Sequence, residues 1–202
     1  MWRETIQRFG TAEPVLPSAQ AEETALLERI AAGDGRAFET LYRRYFPRLC
    51  RFLERMTRRP ALVEEILNDT MLVVSCNAHK YRREARASTW IFAIAYRKAL
   101  KALKHLDDPV EDDPDEEAAR IEPGSQPNEE MLRGQLRHVL DTALQALSAK
   151  HRAVVELTYF QGADYREIAR IMDCPVDTVK TRMSHARRQL KALLPERMED
   201  LL

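Results

Sequence analysis

Apolar residues recur along most of this chain at spacings of three and four, the pattern of helices that bury one face. In AFETLYRRYFPRLCRFLERM, residues 37–56, Phe38, Leu41, Tyr42, Tyr45, Leu49, Phe52 and Leu53 fall on one stripe. A second helix is predicted after Pro60, carrying Leu62, Val63, Ile66, Leu67, Thr70, Met71 and Val74. The polar stretch CNAHKYRREARAS, 76–88, breaks the pattern, and Ser88 is a candidate N-cap for a third long helix, TWIFAIAYRKALKALKHL. Periodicity returns with Met131, Leu132, Leu136, Val139, Leu140, Ala143, Leu144 and Leu147. Ser148 then offers a cap for AKHRAVVELTYFQG, which Gly162 ends. Alternating strand patterns bounded by turns are hard to find, so the expected class is all-α.

The segment after Gly162 is the most specific. Asp164 and Glu167 have capping-box spacing, which predicts a helix from Tyr165 with Ile168, Ala169 and Met172 inward. Asp173-Cys174-Pro175 reads as a tight turn, with Pro175 suited to the first position of the next helix. That helix is expected to bury Val176, Val179, Met183, Ala186, Leu190 and Leu193. Its other faces present Asp177, Thr178, Lys180, Thr181, Arg182, Ser184, His185, Arg187, Arg188 and Lys191. Two short helices joined by a few residues, the second one basic, predict a helix-turn-helix. A charged, solvated bundle helix is the plain alternative. The first helix is too short for a bundle, and the exposed face mixes cations with Thr and Ser, groups that can address base edges in a major groove.

Charge sharpens this division. The chain has 202 residues, with 32 Lys/Arg against 32 Asp/Glu. Residues 106–130 hold eleven acids, one base and four prolines, leaving 31 bases against 21 acids elsewhere. That stretch cannot bury a core and reads as a linker. The expected organisation is an arm at 1–22, a helical domain at 23–105, the acidic linker at 106–130, a helix-turn-helix domain at 131–194 and a tail at 195–202. Two basic bodies suit a polyanion partner. Cys50, Cys76 and Cys174 are far apart and without CxxC spacing, so they read as small hydrophobes. No spanning apolar run and no leader pattern are seen, which predicts a cytoplasmic protein without membrane insertion. No paired-carboxylate, metal or nucleophile constellation stands out. His79 and His105 lack partners nearby in sequence, so neither an enzyme nor any cofactor is expected.

At this point the sequence resembles a family. GADYREIARIMDCPVDTVKTRMSHARRQLKALL is similar to region 4 of bacterial sigma factors, and VEEILNDTMLVVSCNAHKYRREARASTWIFAIAYRKAL is similar to region 2. The two regions, in this order around a linker, resemble the extracytoplasmic-function (ECF, group IV) sigma factors over about residues 23–105 and 131–194. Departures are Met71 where Phe is frequent, Ser75 for Trp, Arg97 for Asn, and Tyr81-Arg82-Arg83 for Phe-Arg-Gly.

The resemblance implies a non-catalytic factor that binds core RNA polymerase and directs promoter-specific initiation. Glu64, Glu65, Asn68, Asp69 and Leu72 would dock on the clamp coiled coil of the β′ subunit, and the second domain would meet the β flap. The helix 176–191 would read the −35 element through Lys180, Arg182, Arg187 and Arg188. Around them stand Pro175, Asp177, Thr178, Thr181, Ser184 and His185, with His151, Arg152 and Arg166 adding backbone contacts. Asp177 has two readings, a helix cap or an acceptor from a cytosine amino group. Lys80, Tyr81, Arg82, Arg83, Ser88, Thr89 and Trp90 would hold the −10 element, with Arg97, Lys98, Lys101 and Lys104 along the backbone. Trp90 also reads as a core residue. The linker would mimic nucleic acid near the polymerase cleft or only keep the domains apart. An anti-sigma factor is an expected partner. The competing reading is a stand-alone helix-turn-helix regulator with an N-terminal sensor or dimerisation domain.

Overall fold

The structure, a computed structural model, describes residues 17–106 and 142–193. The expectations for residues 1–16, for most of the acidic linker, for the stripe from Met131 to Leu140 and for the tail lie outside the described residues. Every regular element among them is helical, and none is a strand. The first unit comprises α1 (Pro17–Ala31), α2 (Gly35–Thr57), α3 (Pro60–Asn77), a 3-10 turn (Ala78–Lys80) and α4 (Ala87–Leu106). The second comprises α5 (Ala149–Val155), a π-helical turn (Glu156–Phe160), α6 (Tyr165–Met172) and α7 (Val176–Leu193). Helix α1 begins inside the stretch expected to be an arm. None of the described helices is long and apolar enough to cross a membrane.

Local chemistry sets the boundaries. Asp34 caps α2, its Oδ1 accepting from the amides of Arg36 and Ala37 while Arg29 donates to Oδ2. That guanidinium, with the two amides, holds the Asp34 carboxyl below its usual range. Helix α2 ends at Arg58, whose φ of 58° is left-handed, and Pro60 opens α3. Ser88 is not the cap of α4. The Trp90 amide donates to the Arg86 carbonyl, so Arg86 takes the cap position and Ser88 lies in the first turn. Ser148 does cap α5, accepting from the His151 amide.

The α2 stripe buries Leu41, Tyr45, Leu49, Phe52 and Leu53 against Leu27, Leu67, Met71, Ile91 and Phe92. Phe38 and Tyr42 lie at its edge, half-buried. Each fully buried large side chain contributes about 1.5–3 kcal/mol. Phe52 meets Phe92 edge-on at 5.3 Å, and Arg48 lies over the Tyr45 and Phe92 rings. The Tyr45 hydroxyl donates to Glu23 Oε2 at 2.8 Å, which ties α1 to α2. In α7 the stripe Val179, Met183, Ala186 and Leu190 is buried, but Val176 is only half-buried and Leu193 is 49% exposed. The stripe runs out of partners where the helix passes the end of its domain.

The two units do not stand apart; one buried cluster runs through both. Helix α6 lies against α4, and α5 against α2. Arg152 locks the second contact. Its Nε donates to the Leu144 carbonyl and its Nη2 to those of Gln145 and Leu147. Its Nη1 crosses the seam to the carbonyls of Arg55 and Met56. The expected backbone contact from Arg152 to DNA is thereby corrected: the residue is 5% exposed and its donors face protein carbonyls.

Candidate nucleic-acid interface

The helix-turn-helix forms for the reasons legible in its sequence. Asp164 Oδ1 accepts from the amides of Arg166 and Glu167, while Glu167 Oε2 accepts from the Asp164 amide. Asp173 ends α6 with φ 50°, and the Cys174 amide returns to the Ala169 carbonyl. The Val179 amide donates to the Pro175 carbonyl, so Pro175 sits at the cap of α7, one place before the expected position. With the stripe of α7 buried, Asp177, Lys180, Thr181, Ser184, His185, Arg187 and Arg188 are exposed, and Thr178 is half-buried. Arg166 is exposed at the opening beside Asp173, Cys174 and Pro175. The face therefore offers ammonium, guanidinium and hydroxyl donors on one rigid helix.

Some of these groups already have partners. Lys180 Nζ is 2.9 Å from Asp177 Oδ1, and Asp177 makes no capping bond with its side chain. Arg187 Nη2 donates to the Tyr159 hydroxyl at 2.9 Å, which fixes its guanidinium beside the π turn. Arg182 turns inward, half-buried, to Cys174 Sγ at 3.6 Å. Burial pushes the nearby Tyr96 phenol up, and Arg182 pulls against it. Among the predicted readers, Arg182 is thus placed at the seam. His185 meets His151 with ring centroids 5.9 Å apart. Burial, then His185 and Arg182, push the His151 imidazole below its ordinary 6.5.

In the first unit, Lys80, Arg82, Arg83, Arg97 and Lys101 are exposed, as is Lys104 near the end of α4. Arg83 has φ 59° and pairs with Glu28 of α1. Tyr81 and Trp90 lie against each other, centroids 5.6 Å apart, and the Tyr81 hydroxyl donates to the Ala85 carbonyl. Trp90 is thus neither fully core nor free. Lys98 pairs with Asp69 at 2.6 Å, joining a predicted backbone contact to a predicted polymerase contact. Thr89 is buried, unlike an open base-holding site. It donates to Glu167 Oε1 at 3.4 Å, an oxygen that also lies 3.2 Å from Arg86 Nε. Arg170 donates to the Glu84 carbonyl. Ser88 is half-buried in the same turn.

The face of α3 carrying Glu64, Glu65, Asn68, Asp69 and Leu72 is exposed, with Leu72 at 60%. Tyr42 donates to Asn68 Oδ1 at 3.1 Å, and exposed Phe46 stacks on Tyr42, centroids 5.7 Å apart. Sequence reasoning misses this aromatic extension because Tyr42 falls on the core stripe. It also misses Arg86, one cation among several in the loop, and the second role of Glu167. The capping spacing alone is a sufficient local reason for Glu167.

The family model for Sigma-70 region 2 matches residues 41–107, and that for Sigma-70 region 4 matches residues 137–190. RNA polymerase sigma factor CarQ of Myxococcus xanthus is 32% identical over 173 residues, covering 84% of this chain and 96% of that protein. The ECF RNA polymerase sigma-E factor of Haemophilus influenzae is 28% identical over 180 residues, covering 85% and 95%. Among solved structures, CnrH in complex with the cytosolic domain of CnrY superposes with a TM-score of 0.63 at 22% identity, covering 85% of this chain and 96% of that one. The sigma factor RpoE of Bartonella quintana, in complex with the anti-sigma factor NepR, gives 0.59 at 21%, covering 77% and 95%. Two helical units with these matches in this order define a transcription initiation factor. The chain belongs to the ECF sigma factors of the sigma-70 family, and it directs promoter-specific transcription initiation.

Proposed function

We propose that this sigma factor divides its work among three faces. The exposed face of α7 reads the upstream −35 element, with Lys180 and Arg188 as its outward cations and Thr181 and Ser184 between them. The loop 80–88 and the start of α4 hold the opened −10 strand, with Arg82 and Arg83 on phosphates and the Tyr81–Trp90 pair as the stacking platform. Stacking on an aromatic contributes about 1–3 kcal/mol per base, enough to offset an opened step that costs about 1.4 kcal/mol. The face of α3 around Leu72 docks on core polymerase. Its exposed apolar side chain among carboxylates and aromatics is the composition of a docking patch, not of a solvated face.

The single observation carrying this reading is the two-sidedness of α7, apolar stripe inward and a mixed cation–hydroxyl face outward. The packed seam adds a condition. Glu167 occupies Thr89 and Arg86, so the −10 site opens only when α6 leaves α4. Holding of the closed arrangement by an anti-sigma factor that spans both units fits this, as the likeness to the CnrH and RpoE complexes supports. The site of action is then the cytoplasm, where polymerase works. The test is binding of the purified chain to core polymerase with Leu72→Glu, and to promoter DNA with Lys180→Ala plus Arg188→Ala. The first variant should lose polymerase and the second the −35 element; an exchange of these effects contradicts the assignment.

A further inference from the structure

Arg51, Arg55 and Arg58 follow one another at spacings of four and three along the last turns of α2, a single stripe of guanidiniums. With Arg59 and Arg152 they line a cavity of about 370 Å³ at the seam, whose other charged lining residue is Glu54. Glu156 lies beyond it, 2.7 Å from Arg55. Five guanidiniums thus face two carboxylates. The negative end of α2 favours a cation there, but a helix terminus carries only about half a charge, too little to explain this crowding.

The groups divide into two roles. Arg152 gives its donors to carbonyls, and Arg55 pairs with Glu156 while stacking on the Phe160 ring at 3.9 Å. These two supply field. Arg58, among the described residues, has no ion-pair partner, and its backbone holds a left-handed conformation that an L side chain seldom adopts. Arg51 lines the cavity, uses Nε on the Pro47 carbonyl and has no ion-pair partner among the described residues. A volume near the lower end of ligand sites, walled by planar donor forks, suits a small anion of high charge density.

We propose that this cavity binds a compact polyphosphate, the phosphate chain of a nucleotide or a free inorganic one, held by Arg51 and Arg58 in the field of Arg55 and Arg152. Leu144, Gln145 and Arg152 belong to the second unit, so the cavity exists only while the units are packed. The ligand therefore stabilises the closed arrangement by mass action.

The test is calorimetric titration of the full chain with inorganic triphosphate, and separately with GTP, at fixed ionic strength. One-to-one binding is expected, weakened at least about tenfold, or 1.4 kcal/mol, in Arg58→Gly plus Arg51→Gln. Glycine adopts the left-handed turn without strain, so this variant keeps its fold, which its melting temperature checks. Arg43→Ala, two turns before Arg51 on α2, paired with Glu39 and outside the cavity lining, should bind as the parent does. Equal affinity for the two ligands assigns the phosphate chain alone, and tighter GTP assigns a nucleotide. Unchanged binding in the double variant, equal competition by sulfate at matched ionic strength, or no saturable binding overturns the proposal.

Discussion

Arg55 of α2 and Glu156 of the π turn meet at 2.7 Å across the seam, with the Glu156 side chain buried and Arg55 half-covered by Phe160. A carboxylate is retained in such a place only if its charge is met at close range. The pair belongs to different units, more than a hundred residues apart, so it reports on their packing. Glu156→Gln is expected to destabilise the packed chain by about 3 kcal/mol, since loss of one partner strands the other. Urea unfolding of both single variants and of Glu156→Gln plus Arg55→Met checks this. The double variant should be less destabilised than the sum of the singles; simple additivity contradicts a coupling across the seam.

Glu167 separates folding from gating. Glutamine also suits the third position of a capping box, so Glu167→Gln keeps α6 but gives up the charged contact to Arg86. The expectation is faster amide exchange at the start of α4 and stronger binding of the polymerase-free factor to single-stranded −10 DNA, with unchanged helix content. A gain of severalfold corresponds to about 1 kcal/mol, the worth of one partly exposed pair. Unchanged exchange and binding show that Glu167 does not hold the seam.

His151 predicts a pH dependence. Its imidazole is held below 6.5 by burial and by neighbouring His185 and Arg182, so the unfolded chain binds the proton more tightly than the folded one. That group costs nothing above pH 6.5 and weakens the fold as pH falls below 6.5 toward its folded value. Melting temperatures between about pH 7.5 and 5.5 should fall less in His151→Gln than in the parent. A parallel fall in both removes His151 as the cause.

The salt dependence of DNA binding counts the outward cations of α7, Lys180 and Arg188. Each phosphate contact contributes about 0.9 to the slope of log affinity against log salt. Lys180→Ala should lower the slope by about one if it meets phosphate, or relax base preference by about 1–3 kcal/mol if it meets a base. Arg182→Ala should instead loosen the seam, because that side chain turns inward to Cys174 and its charge acts on Tyr96 of the first unit. Measured slopes at several promoter sequences distinguish the two roles.

Much of this architecture is legible in the sequence because local signals agree with one another. Asp164, Glu167, Pro175 and the stripe from Val179 to Leu190 describe the helix-turn-helix almost unaided. Periodicity cannot tell which neighbour a stripe meets, and so it places Leu193 inside and Arg182 and Arg152 outside. Both arginines lie on helices whose charged faces look alike in sequence; Arg152 turns inward to carbonyls of both units, and Arg182 to Cys174 of its own. Thr89 shows the same limit: the resemblance implies a −10 contact, while Glu167, 78 residues away, supplies its buried partner in the closed arrangement. The family resemblance carries the functional assignment, whereas the closed seam is visible only in the fold.

The most direct measurement is promoter-specific initiation. Core polymerase is mixed with the purified factor and a library of promoter sequences, and transcript starts are mapped. Starts are expected to be fixed by paired −35 and −10 elements, lost when Lys180 and Arg188 are both replaced by alanine and lost with Leu72→Glu through failure to bind polymerase. Binding to duplex DNA without any core-dependent, sequence-specific start contradicts this expectation.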